Sequence, residues 1–298
     1  KDVDGIIVDL RNNPGGSLEE VARMLGQVIK SGPVVQIRDG NGNVSVFEDN
    51  DGGEQTYAGP LAVLINLASA SASEIYSAAI QDYERGIVIG STTTGKGTAQ
   101  VQLDTLAYGQ ATLTQRKFYR ITGGSTQNKG VIPDIKLVDI YNEEFGERKA
   151  KNALKWDTIA TAPFKREGVV QSYVPQLAKS SQTRVSIDPQ FKYLTERKNI
   201  AKQAEERKTA VLDLDQRRAE LIELERKTLA AENVRRQATG LAPYPNWESY
   251  QASLEAQAES RAKMKANQRP PLPEEEVFVS EAANVLLDYS QLQSGTAK

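Results

Sequence analysis

Residues 61–90 read LAVLINLASASASEIYSAAIQDYERGIVIG. The run from Leu61 to Asn66 is apolar until its last position, too short for a helix and the right length for a buried strand. From Ser71 to Tyr83 the pattern turns helical, and Ile87 to Gly90 is again strand-like. Strand, helix, strand is the form of a crossover unit in a parallel sheet. The alternation recurs upstream, with a strand from Gly5 to Leu10, a helix from Ser17 to Lys30 opened by the capping-box pair Ser17 and Glu20, and a strand from Val34 to Arg38. Asp39-Gly40-Asn41-Gly42-Asn43 is a hairpin turn, and Ala111 to Tyr119 is a further strand. This half of the chain is α/β, with a parallel or mixed sheet and crossover helices.

Beyond residue 150 the texture changes, for only Gly168, Gly240 and Gly295 of the 22 glycines lie there. From Pro189 to about Ala238, charged residues with spaced apolar ones (Phe191, Leu194, Val211, Leu214, Leu221, Leu224) have the period of one amphipathic helix. Asn246 caps a second helix reaching about Gln268, and a Pro-rich turn from Arg269 to Pro273 precedes a last short helix from Glu274 to about Leu292. The expected organisation is an α/β core over 1–150 and an all-helical C-terminal domain over 151–298. Lys1 to Asp4 run directly into the first strand, so the chain reads as the C-terminal fragment of a longer one.

Composition restricts the chemistry. The chain has no histidine and no cysteine, which removes imidazole bases, thiol nucleophiles, zinc fingers and disulfides. If the chain is an enzyme, its base is Lys, Asp, Glu or Tyr. With 37 basic and 39 acidic residues the net charge is -2, which gives no electrostatic case for a nucleic-acid partner. No run of about 18 apolar residues exists to span a bilayer.

Sites in α/β proteins gather where strands end and helices begin. Three such junctions stand out. Asp9-Leu10-Arg11-Asn12-Asn13-Pro14-Gly15-Gly16 closes the first strand, and its paired glycines suit either a tight turn or an anion site. Asn66-Leu67-Ala68-Ser69-Ala70-Ser71-Ala72-Ser73-Glu74 opens the serine helix. Serines before a glutamate are ordinary caps, but three alternating serines exceed what one cap requires, and the local pattern does not say which would be a nucleophile. The third junction, Gly90 to Thr98, matches the first seven positions of a phosphate-binding loop and then fails: Gly97 stands where a Ser or Thr would hold magnesium, and Thr98 to Leu103 alternates like a strand. Lys96 between two glycines remains. A lysine is a base when neutral, which burial arranges, and a Ser-Lys pair is the nucleophilic dyad open to a chain without histidine.

The segments Asn66 to Ile75 and Thr94-Gly95-Lys96-Gly97-Thr98-Ala99-Gln100 resemble the active-site segments of the C-terminal processing peptidases, serine peptidases of the S41 type. Supporting matches are Asp9 to Gly16, Gln81-Asp82-Tyr83, Arg116 to Arg120 and Gly123 to Ile135, so the likeness spans residues 5–135. The resemblance implies a crotonase/ClpP-like core with Ser71 as nucleophile, Lys96 as general base and Gln100 as the residue orienting the lysine. It further implies an oxyanion hole from the Ala72 N–H and a glycine N–H from Gly15 or Gly16. It also implies no cofactor, a periplasmic location, protein substrates with apolar C-termini and a lipoprotein adaptor as partner, with the family's PDZ domain and N-terminal helical region absent from this chain. Thr94 departs from the family, where an aromatic residue usually precedes Gly-Lys-Gly. The alternative expectations are a helical structural or adaptor-binding module, inactive as this fragment, and a nucleotide-binding domain built on Gly90 to Lys96.

Overall fold

The computed structural model describes residues 3–48, 55–103, 108–141, 146–265 and 272–295. Two sheets of four strands each organise the first half among these residues. Strands β1 (Ile6–Asp9), β4 (Leu61–Ile65), β5 (Ile87–Gly90) and β8 (Ile135–Lys136) form a wholly parallel sheet in the order β1-β4-β5-β8. All five residues of β4 and all four of β5 are buried, as uninterrupted apolar strands require. Helix α2 (Ala72–Asp82) carries the chain from β4 to its neighbour β5, as the opening stretch of sequence predicts.

The upstream alternation resolves differently. Helix α1 (Leu18–Gly26) forms with Ser17 as its cap, but β2 (Pro33–Asp39) does not return to the sheet of β1. It joins β3 (Val44–Glu48), β6 (Thr98–Leu103) and β7 (Ala111–Tyr119) in an antiparallel sheet of order β3-β2-β7-β6. The reason is local: the Asp39 carboxylate accepts hydrogen bonds from the Asn41 and Asn43 N–H groups, each at 2.9 Å, closing a hairpin that commits β2 to an antiparallel partner. Strand, helix, strand over residues 5–38 is therefore not a crossover unit within one sheet.

The chain divides into two compact units, one of Lys1–Leu137, Glu143–Ser181 and Val279–Lys298, the other of Val138–Asn142 and Gln182–Phe278. In the first unit, Leu25, Ile29, Leu61, Val63, Ile65, Ile80, Tyr83, Val88, Ile121 and Val131 belong to one fully enclosed apolar cluster. Residues after 150 are not helical throughout: regular α-helix resumes only at Val174 with α3 (Val174–Ile187). The single long helix expected from Pro189 to Ala238 is two, α4 (Pro189–Glu205) and α5 (Leu214–Ala238). Asp213 makes the second start by accepting the Gln216 N–H at 2.8 Å, a cap inside what looks like one periodic run. Helix α6 (Trp247–Ala262) is capped by Asn246 as expected, while Gln268 and most of the Pro-rich turn lie outside the described residues. Helix α7 (Pro273–Gln293) closes the chain. Among the described residues no helix is long and apolar enough to cross a membrane.

Candidate active site

Parallel pairing brings the three sequence junctions together. Asp9 registers with Leu64 and Ile65 with Gly90, so β1, β4 and β5 end side by side and their following loops leave from one edge of the sheet. The first two loops are then sewn to each other. The Asn12 N–H donates to Asn66 Oδ1 at 2.9 Å, and the Ala70 N–H donates to the Asn13 carbonyl at 3.0 Å.

The serines divide by role. Ser69, fully buried, donates its hydroxyl to the Leu10 carbonyl at 2.7 Å, and buried Ser73 donates to the Asn13 carbonyl at 3.1 Å. Both hold the first loop against the serine turn. Ser71 is partly exposed and sits at φ 56°, ψ -114°, left-handed backbone that a residue with a Cβ adopts at a cost of about 1–3 kcal/mol. The Glu74 N–H is satisfied at 2.9 Å by the Ser71 carbonyl, and the Ser71 hydroxyl makes no capping bond. A strained serine at a helix start, with its hydroxyl left over, is a form in which nucleophilic serines are presented.

The glycine pair also divides. A Cβ on Gly15, at φ 105°, would lie 2.8 Å from both the Ala70 carbonyl oxygen and Ser71 Cβ, so only glycine lets this loop approach the serine turn. Its N–H is spent on Asn13 Oδ1 at 2.9 Å. Gly16 has open space around it. Among the described residues the Gly16 and Ala72 N–H groups donate to no protein acceptor; Ala72 directly follows Ser71, and Gly16 directly follows the glycine that approaches it.

Lys96 lies on a loop held from every side. Buried Glu74 is the hub. Its Oε1 accepts the Thr93 hydroxyl at 2.5 Å and the Gly95 N–H at 2.7 Å; its Oε2 accepts the Lys96 N–H and the Ser71 N–H, each at 2.9 Å. One carboxylate oxygen thus bonds both backbone nitrogens of the expected dyad and keeps them within twice that distance of each other. Burial pushes the Glu74 carboxyl above its ordinary range, against the four hydrogen bonds that favour its ionised form. Thr94 donates to the Leu67 carbonyl at 2.7 Å, tying the lysine loop to the serine loop. Glycines flank Lys96 because residues 127 and 128 press on them: a Cβ on Gly97 would meet the Gln127 nitrogen at 2.5 Å, and one on Gly95 the Asn128 backbone at 3.0 Å.

Gln100 stands apart. It is exposed on β6, and its amide donates to Thr114 Oγ1 at 3.3 Å; no hydrogen bond joins it to Lys96. The register slips between Ala99 and Gln100, and such bulges re-aim the side chains that follow them. The loop from Gly90 runs into strand β6 and opens no helix, which removes the phosphate-binding geometry. Among the described residues no acidic cluster gathers that could hold a metal ion.

Local pattern marks Glu74 only as a cap partner; its reach to the lysine loop, and the roles of Thr93, Gln127 and Asn128 there, come from residues distant in sequence. The same is true of a partly buried ion pair that fixes α2: Asp82 accepts from Arg120 Nη2 at 2.6 Å and Nε at 3.1 Å, tying the end of the helix to the residue that follows β7. Both residues lie in the motif blocks already quoted, but nothing local announces their pairing.

The family profile for peptidase family S41 matches residues 1–137, and that for the C-terminal domain of tail specific protease matches residues 140–291. The tail-specific protease of Haemophilus influenzae is 43% identical over 217 residues, covering 69% of this chain and 31% of that protein. The carboxy-terminal-processing protease of Bartonella bacilliformis is 37% identical over 141 residues, covering 47% of this chain and 32% of that protein. The chain thus spans about a third of the length of these curated relatives. Among solved structures, a photosystem II D1 C-terminal processing protease is similar with 32% identity and a TM-score of 0.41, over 45% of this chain and 35% of that one.

Proposed function

Because the chain belongs to peptidase family S41 and carries the C-terminal domain of tail-specific protease, we propose that it holds the catalytic machinery of a serine endopeptidase with a Ser71–Lys96 dyad. The observation that carries this reading is the shared Glu74 oxygen, which draws the Ser71 turn and the Lys96 loop together at the ends of neighbouring parallel strands. In the reaction, Lys96 Nζ takes the proton from Ser71 Oγ as that oxygen attacks the scissile peptide carbonyl. The Ala72 and Gly16 N–H groups, which have no protein acceptor, donate to the oxyanion of the tetrahedral intermediate. Lys96 then returns the proton to the leaving amine. Water, deprotonated by the same lysine, hydrolyses the acyl-enzyme and restores Ser71. The Gly15 contact with Ser71 sets the distance between the glycine loop and the nucleophile, so the second glycine is the donor and the first the spacer.

The substrates are proteins with apolar C-terminal tails in the bacterial periplasm, and a lipoprotein adaptor is the expected partner. Support comes from the family and from its relatives, one of them a tail-specific protease of a bacterium. The test compares degradation of an unfolded protein with an apolar tail by the full protein and by its Ser71→Ala and Lys96→Ala variants. Each variant loses at least about a thousandfold in rate, since members of a catalytic unit fail together. Comparable rates in all three would sink the dyad.

A further inference from the structure

A segment beyond the reach of the S41 profile grips the Lys96 loop. Residues 147–157 lie within the stretch matched by the C-terminal domain profile, yet they belong to the same compact unit as the site. The Glu147 N–H donates to the Thr94 carbonyl at 3.0 Å, and Arg148 Nη2 donates to the Thr93 carbonyl at 3.0 Å. Two relays add to this grip. The Gly97 N–H donates to Gln127 Oε1 at 2.8 Å, and Gln127 Nε2 donates to Glu147 Oε1 at 3.0 Å. The Asn128 N–H donates to the Gly95 carbonyl at 2.9 Å, and Asn128 Nδ2 donates to the Leu154 carbonyl at 3.0 Å.

The backbone of Thr93, Thr94, Gly95 and Gly97 is therefore bonded on this side, while the N–H of Lys96 is bonded on the serine side by Glu74. The far end of the segment is anchored independently. Trp156 Nε1 donates to the Ser125 carbonyl at 2.8 Å under the Lys129 ammonium, and Asp157 accepts from Lys117 at 2.6 Å and Arg38 at 2.7 Å.

We propose that residues 147–157 form a strap that sets the position of the base, with Glu147 and Arg148 as positioning residues for Lys96. The proposal rests on the Ser71–Lys96 reading and deepens it. A buried hydrogen-bonded loop has few arrangements, and a displacement of about 1 Å at a catalytic group costs up to about a hundredfold in rate. Loosening one side of the clamp slows chemistry without touching the surface that binds substrate. Arg148 is exposed and Glu147 only half-buried, so truncating them leaves the core packed.

The test uses the full protein with Arg148→Ala, Glu147→Ala, Arg148→Lys and a Ser71→Ala control. Both alanine variants lower kcat about tenfold and change KM less than about twofold. Arg148→Lys, which keeps a donor for the Thr93 carbonyl, recovers most of the loss. Amide hydrogen exchange at Gly95, Lys96 and Gly97 speeds up in the alanine variants, while exchange in β4 and β5 stays as in the wild type. Unchanged kcat with unchanged exchange at the loop overturns the strap, as does a rise in KM at constant kcat. If Ser71→Ala keeps full activity, the dyad reading falls by itself, and the exchange measurement alone decides whether the strap holds the loop.

Discussion

Helices α2 and α5 are built from the same kind of local sequence logic and end in opposite conditions. Ten of the eleven residues of α2 are buried. Of the 25 residues of α5, Glu232 is the buried one, and large apolar side chains such as Ile222 stand 63% exposed. Length and periodicity therefore say little about how tightly a helix is held. Helix α2 is fixed by the sheets and loops around it, by Asp82 with Arg120 at one end and by Glu74 at the other. Helix α5 is held by its Asp213 cap, by one enclosed ion pair, Arg235 with Glu232, and otherwise by exposed pairs such as Arg226 with Glu223. Ser71, the proposed nucleophile at the start of α2, inherits that rigidity, which is what a preorganised site needs.

Three measurements would break or sharpen this contrast. The largest effect is expected for Glu74→Ala, which leaves three backbone N–H groups and the Thr93 hydroxyl without their acceptor at about 1–3 kcal/mol for each buried group. Urea unfolding of this variant should show the α/β unit losing most of its stability; a midpoint near wild type would mean that Glu74 is not the hub. Next, Ile80→Ala at a fully buried position of α2 should cost about 2–5 kcal/mol, whereas Ile222→Ala in α5 should stay within about 0.5 kcal/mol. Equal costs would show that the exposed face of α5 is covered in the intact protein.

The smallest effect concerns pH. Burial pushes the Asp157 carboxyl up, but hydrogen bonds from Lys117, Arg38 and Tyr119 outweigh it and hold the group below the ordinary aspartate value. A depressed folded value means stability that is present above the unfolded aspartate value and lost as pH falls through the folded one. Asp157→Asn should therefore lower the melting temperature at neutral pH and flatten its decline in acid. Glu223→Gln in α5, whose ion pairs are exposed and screened, should do neither. A matching response from Glu223→Gln would erase the distinction between the two regions.

Much of the first half was readable before any fold was known. The strands at Leu61 and Ile87, the helix between them, the Asp39 to Asn43 turn and the Asn246 cap all depend on contacts within a few residues, where propensity and period act. The candidate site residues come from motif alone; the structure brings the Ser71 turn and the Lys96 loop onto the same Glu74 carboxylate. Misreadings arose where a distant partner or a hidden cap decided: β2 left the sheet of β1 for an antiparallel one, Asp213 divided a periodic run, and residues 150–169 stayed non-helical alongside the antiparallel sheet. The role of Gln100 met the same limit, since its amide follows the local bulge in β6 and not the lysine four residues before it.

The sequence by itself determined which chemistry was open: without histidine or cysteine, a serine nucleophile needs a lysine, a carboxylate or a tyrosine as its base, and the spacing of small residues marked where each could stand. Only the tertiary structure decided which serines are spent on backbone carbonyls, which glycine packs against the serine turn, and that one buried carboxylate joins the Ser71 turn to the Lys96 loop. Composition and period are properties of neighbours along the chain. Hydrogen-bond satisfaction in a closed interior is a property of neighbours in space, and it is settled only when the parallel strands bring residues 13, 71, 74 and 96 to the same edge.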